Sequence, residues 1–200
     1  MKKFLLILLS LLMLFGCSSN NQEETSDSED SSACGIDTCD DDDKATYLVA
    51  QNQISTSDAL SKFENKEDFV LYFYFDACPW CKELGPLLSD YLEEKSDLLN
   101  MTYAINVRSD GNKENDIRYK NDDGEYNDSN FEEIYNLVAR YLDDDGTFYV
   151  PTLIFVKGGE VKYFHTGTVD GHDATEREMT DDEKSSLTKE LAEYYSLYGE

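Results

Sequence analysis

The chain has 200 residues and a formal net charge of −26, from 43 acidic side chains against 17 basic ones. Such an excess of carboxylates repels phosphate backbones and anionic headgroups, which argues against nucleic-acid binding and against a polybasic membrane patch. From Ala45 to Glu200 the chain is the size of one domain.

Taken from its start, Met1 to Leu14 has the make-up of an export signal: Lys2 and Lys3, then an apolar run from Phe4 to Phe15. That run is shorter than the ~20 residues a membrane-spanning helix needs. It closes in Leu14-Phe15-Gly16-Cys17, the pattern of a bacterial lipobox with a bulkier residue than usual at Phe15. Residues 1–16 are therefore expected to be a signal peptide, with Cys17 as the lipid-modified first residue of the mature protein. An uncleaved N-terminal anchor is the alternative. Either one places the remainder at the cell membrane on its extracytoplasmic side, where disulfides persist.

Residues 17–44 are Ser, Asn, Asp and Glu with almost no apolar side chains, a composition that builds no core and predicts a disordered acidic tether. Cys34 and Cys39 lie within it. They suit a small local disulfide, since four intervening residues close a loop readily. A mobile dithiol exchanging with another cysteine pair is the sharper reading. Asp40 to Lys44 spells the recognition string of a common processing protease, and reads more simply as a solvated acidic run.

The domain then unfolds in order. Tyr47-Leu48-Val49 reads as a short strand, and Ser57 caps a helix to about Asn65 with Ala59, Leu60 and Phe63 as its stripe. Phe69 to Phe75, nearly all apolar or aromatic, is a buried central strand. Helical periodicity runs from Pro79 to about Leu99, with Leu84, Leu87, Leu88, Tyr91 and Leu92 facing inward, and Met101 to Val107 is the next strand. Ser109 to Ser129 is polar, dotted with Gly and Asp, and reads as a long surface loop: a substrate-facing flap or a disordered excursion. An amphipathic helix from Asn130 to Leu142 follows, then two strands around Gly158-Gly159. Thr180 with Glu183 forms a capping box for the last helix, which is expected to bury Leu187, Leu191, Tyr194 and Tyr198.

The chemistry centres on Cys78-Pro79-Trp80-Cys81, between the central strand and the following helix. A thiol at a helix start faces unpaired backbone N–H groups and the positive end of the macrodipole, which favour its thiolate, the form that attacks disulfides. Half of a zinc site would use the same spacing. No second half-site follows, and His165 and His172 are the sole histidines, so redox chemistry is the better reading and no metal is assigned. The acidic clusters at Asp122-Asp123 and Asp143-Asp144-Asp145 lack the ligand spacing of an EF-hand.

Far downstream, Val150-Pro151-Thr152-Leu153-Ile154-Phe155 leads through Gly158-Gly159 into Glu160-Val161. With the Cys-x-x-Cys pair, Lys82 and Pro86, this resembles the thioredoxin superfamily over Ala45 to Glu200, and within it the small extracytoplasmic lipoproteins of the bacteriocin-transport accessory type. The resemblance implies an α/β fold, a central mixed sheet flanked by helices, following the tether. It implies Cys78 as the exposed catalytic nucleophile and Cys81 as the buried resolving thiol, with Pro79 and Trp80 tuning the redox poise. It implies a cis bond before Pro151, packed beside the cysteines, and an extended client paired along Val150 and Pro151. No cofactor is implied. The partners would be thiols or disulfides of exported proteins or peptides and a membrane redox partner, met by a monomer.

Two departures stand out. Where the family carries a buried Asp before the first Cys, this chain has Tyr72, and the nearest carboxylate is Asp76. Seventy residues separate Cys81 from Pro151, more than in minimal members. A reading of another class also stands: an accessory protein that binds a secreted peptide or transporter without redox chemistry, against which the intact cysteine pair argues.

Overall fold

The computed structural model describes residues 44–199. The expected signal peptide, Cys17, Cys34 and Cys39 lie outside the described residues.

Four strands make one mixed sheet in the order β2-β1-β3-β4. Strand β1 (Phe69–Tyr74) is wholly buried, pairs parallel to β2 (Thr102–Asn106) and antiparallel to β3 (Thr152–Lys157). Strand β4 (Glu160–Thr166) returns antiparallel to β3 through Gly158 and Gly159. Both glycines have positive φ, 63° and 74°, as a two-residue hairpin turn with matching twist requires.

Side chains alternate across β1, so one strand feeds two cores. Val70, Tyr72 and Tyr74 face helix α2 (Pro79–Leu92) and helix α5 (Asp181–Tyr195), meeting Leu84, Leu88, Leu187, Leu191 and Tyr195. Phe69, Leu71 and Phe73 face helix α1 (Thr56–Glu64) and helix α4 (Ser129–Val138), meeting Ala59, Phe63, Phe131, Ile134 and Val138. The mixed sheet between helical layers is the α/β architecture that the sequence implies.

Several boundaries differ from the periodicity. The expected first strand is a 3-10 turn, Leu48–Gln51, because Val49 N–H donates to Ser89 Oγ (3.0 Å) and leaves no ladder to join. Gln53 alone makes a parallel bridge, to Ala104. The cap of α1 is Ser55, whose hydroxyl accepts from Asp58 N–H, two residues before the expected Ser57. The long helix after the cysteines breaks at Leu92, and a separate helix α3 (Ser96–Met101) turns the chain into β2. Asp128 caps α4 through the N–H groups of Asn130 and Phe131. At α5 the Thr180–Glu183 capping box forms as expected, but Tyr195 takes the buried position assigned to Tyr194. Tyr198 sits beyond the helix and donates to the carbonyls of both Phe69 and Val156 at 2.9 Å.

The segment after β2 is built, not loose. Its anchor is Asp116, whose side chain is fully buried and accepts from Arg108 Nε and Arg118 Nη2, each at 2.7 Å. Burial alone would raise the Asp116 carboxyl, and the hydrogen bonds from both arginines with the charge of Arg118 outweigh it, holding the group below its ordinary range. Arg118 also donates to Phe148 O (3.1 Å), and Ile117 and Tyr126 pack on the α1/α4 core. A disordered excursion is thereby ruled out for this stretch.

Candidate active site

Helix α2 begins where β1 has ended and the chain has turned through Phe75, Asp76 and Ala77. Cys78 is its N-cap and Pro79 its first residue, the position where a missing N–H costs nothing. Cys78 and Cys81 are joined as a disulfide with Cα atoms 5.1 Å apart. Cys81 N–H points at Cys78 Sγ at 3.1 Å. That donor, with the helix dipole behind it, is what would hold negative charge on Cys78 when the disulfide opens.

The peptide bond between Val150 and Pro151 is cis, and Val150 O lies 3.7 Å from Cys78 Sγ. Seventy-two residues apart in sequence, the two motifs therefore meet. Pro151 O accepts from Gly167 N–H (2.8 Å), and Thr152 Oγ1 donates to Tyr149 O (2.8 Å), which together pin the loop from both sides. Trp80 extends the same surface: its indole N–H reaches His172 O at 3.4 Å. His172 is held in turn by Thr168 Oγ1 at 2.8 Å and by Arg177 O at 2.9 Å.

One expectation needs correction. The family resemblance implies an exposed Cys78 and a buried Cys81, whereas Cys78 is 2% exposed and Cys81 0%. The half-buried Phe75, Trp80 and Val150 pack against the cluster that holds both sulfurs, and the Val150 carbonyl stands over Cys78. Part of that cover must move before either sulfur can be reached from solvent.

Beneath the disulfide the chain carries phenols in place of a carboxylate. The Tyr72 hydroxyl sits 3.5 Å from Cys81 O and 3.2 Å from the Tyr47 hydroxyl, and its ring is fully buried. Burial pushes the Tyr72 phenol well above its ordinary value, so it stays neutral and cannot accept the Cys81 proton. Asp76 is turned elsewhere, accepting from Ala45 N–H and Asn106 Nδ2, each at 2.9 Å. Tyr47 is a participant that sequence patterning missed. It lies against Gly85 of α2, where an added Cβ would overlap its ring. The glycine after Leu84 was the available signal. Arg108 is a second: its guanidinium stacks 3.9 Å from the centre of the Phe75 ring, fixing the turn that leads to Cys78.

Among the described residues no group of three His, Cys, Asp or Glu side chains is placed to hold a metal ion. None of the described helices is long and apolar enough to cross a membrane.

The family model of the thioredoxin-like domain matches residues 57–194, and the chain belongs to that family. No curated protein matches it. Among solved structures it is similar to oxidised thioredoxin O1 from Arabidopsis thaliana, at 22% identity over 60% of this chain and 80% of that one, with a TM-score of 0.35. An uncharacterised thioredoxin-like protein from Clostridium perfringens matches at 16% identity over 72% and 82%, TM-score 0.36. A disulphide isomerase from Xylella fastidiosa matches at 17% over 66% and 84%, TM-score 0.31. The family assignment rests on the domain match alone.

Proposed function

We propose that this protein is a membrane-tethered, extracytoplasmic thiol–disulfide oxidoreductase acting on exported proteins or peptides. The observation that carries the reading is the Cys78–Cys81 disulfide at the start of α2, with the Val150 carbonyl 3.7 Å from the outer sulfur. In the oxidising direction a client thiolate attacks Cys78 Sγ, the Cys78–Cys81 bond breaks, and Cys81 leaves as a thiolate that takes up a proton. A second client thiolate then attacks the client sulfur of the mixed disulfide. Cys78 departs, the client gains a disulfide, and the protein holds two thiols. Reduction of a client runs the same steps backwards, with Cys81 as the resolving thiol.

Val150 and Pro151 would align an extended client by strand addition, and Trp80 would offer it an apolar face. Pro79 leaves Cys81 N–H as the donor to Cys78 Sγ. Export and lipid attachment rest on the pattern from Met1 to Cys17, and the grouping with extracytoplasmic lipoproteins of the bacteriocin-transport accessory type rests on the sequence resemblance from Ala45 to Glu200.

A Cys81→Ser variant is expected to accumulate mixed disulfides with clients through Cys78, and Cys78→Ser to accumulate none, read on non-reducing gels and by peptide mapping. Equal trapping by both variants, or by neither, defeats the assignment. The near-complete burial of Cys78 favours one second reading, a binding module whose disulfide is structural. That reading predicts a disulfide inert to a glutathione redox series, whereas the oxidoreductase reading predicts a defined midpoint.

A further inference from the structure

Among the described residues, two half-buried apolar side chains pack on both cores of the sheet at once: Phe75 and Val150. Phe75 stands three residues before Cys78, and its carbonyl accepts from Cys78 N–H at 3.1 Å. Val150 precedes the cis bond, with its own carbonyl 3.7 Å from Cys78 Sγ. Together with Trp80 they are the cover described above.

Both ends of that cover are reached from one buried carboxylate. Arg108 Nε donates to Asp116 Oδ2 at 2.7 Å, and the same guanidinium lies over the Phe75 ring, 3.9 Å from its centre. Arg118 holds both oxygens of Asp116, Nε on Oδ1 at 2.9 Å and Nη2 on Oδ2 at 2.7 Å. Its Nη1 is left to donate to the Phe148 carbonyl at 3.1 Å, two residues before Val150. A planar fork can hold a carboxylate and a carbonyl together, where a single ammonium has no such fixed geometry. The side chains of Arg108, Arg118 and Asp116 are 18%, 9% and 0% exposed, so water and salt screen these pairs little.

The turn before Cys78 is gripped a second time by Asn106, whose Nδ2 donates to Asp76 Oδ2 at 2.9 Å. Asn106 ends β2, and Arg108, Asp116 and Arg118 follow it in the extra length that separates Cys81 from Pro151. That added segment therefore ties the turn carrying the cysteines to the loop carrying the cis bond.

We propose that Arg108 and Arg118, oriented by Asp116, are positioning residues that hold the cover over Cys78 closed and so set the rate at which thiols reach the disulfide. This role rests on the oxidoreductase reading above. Each arginine acts on a neighbour of the sulfurs, Phe75 or the Phe148–Val150 stretch, and so governs approach to the bond and not the energy of the bond. Loosening the cover speeds attack and its reverse by the same factor, which leaves the midpoint where it was.

Two variants keep Asp116 paired and release one arm each. Arg108→Gln takes the cation off Phe75 while Arg118 still holds Asp116. Arg118→Lys keeps a charge beside Asp116 and gives up the bond to the Phe148 carbonyl. The test is reduction of the full oxidised chain by dithiothreitol, which leaves as its cyclic disulfide, read by timed alkylation of the freed thiols. Each variant is expected to react about tenfold faster than the parent. Its midpoint in a glutathione series should match the parent's. Its rate should also stay flat in urea below the unfolding transition, where access through global unfolding would climb steeply. An unchanged rate in either variant that folds overturns the brace. A midpoint that moves with the rate does the same, since it puts the effect on the sulfurs themselves, and so does a rate that climbs with urea. If Arg118→Lys does not fold, Arg108→Gln decides alone. A parent chain without a defined midpoint sinks the oxidoreductase reading, while faster reduction of the variants still upholds the brace.

Discussion

The fully buried rings on the side of the sheet under α1 and α4 carry no hydroxyl, Phe69, Phe73 and Phe131, beside Leu71, Ile134 and Val138, and its tyrosines, such as Tyr126 and Tyr135, are only half-buried. The side under α2 and α5 buries Tyr72, Tyr74 and Tyr195, with Tyr47 at its edge. Both sides come from one strand whose residues alternate, so the contrast is written in single positions: Phe69, Leu71 and Phe73 against Val70, Tyr72 and Tyr74. The buried centre of the dry side has only shape to specify. The phenolic side must also satisfy its hydroxyls, and each does so by fixing something: Tyr74 receives Gln53 Nε2 (2.8 Å), and Tyr195 meets Thr102 Oγ1 (2.8 Å). Tyr72 reaches towards the backbone of Cys81. Polar satisfaction inside a core specifies geometry more sharply than packing does, and here it lies on the side that carries the cysteines.

The largest effect should come from cutting the dry side. Phe131→Ala removes a fully buried ring that meets Phe73, Tyr126 and Phe148, and should cost about 4 kcal/mol of stability in urea unfolding. The Cys78–Cys81 midpoint of the variant should match that of the parent chain. A shifted midpoint would show that the two sides are coupled and break the contrast.

A middle-sized effect is expected from Gly85→Ala, which drives a methyl group into the Tyr47 ring. A cost of about 2 kcal/mol is expected, with most of it gone in a Tyr47→Ala background, as a double-mutant cycle would record. Additive losses would mean that the helix shifts as a whole and that Tyr47 is not its seat.

The smallest should be Tyr195→Phe. Thr102 Oγ1 keeps its bond to Leu98 O at 2.8 Å, so no polar atom is stranded, and the loss should be about 1 kcal/mol in thermal or urea melts. A loss several times larger would place the phenolic side's stability in its hydroxyls and sharpen the contrast further.

Much of this was legible because it is local. The alternation in β1, the Thr180–Glu183 box, the Gly158-Gly159 turn and the Cys-x-x-Cys at a helix start are all written within a few neighbouring residues. What escaped depends on distant parts of the chain. Tyr47 has strand neighbours in sequence but a 3-10 turn follows it, because Ser89 of α2 claims the Val49 N–H. The segment 109–128 looks unstructured by composition, yet one aspartate between two arginines organises it, and no periodicity announces a buried Asp116. The exposure of Cys78 could not be read from the motif, since part of its cover comes from Val150, far along the chain.

Trp80, finally, is the one tryptophan among 200 residues, and it stands between the two cysteines with its indole N–H on the His172 carbonyl. Excited at the red edge of the indole band, where the 14 tyrosines do not absorb, the protein emits from a single place. Its emission senses the disulfide through the quenching a neighbouring sulfur–sulfur bond exerts, and senses the loop bearing His172 through that hydrogen bond. The chain thus contains its own optical gauge of whether the Cys78–Cys81 bond is closed or open, without any added label.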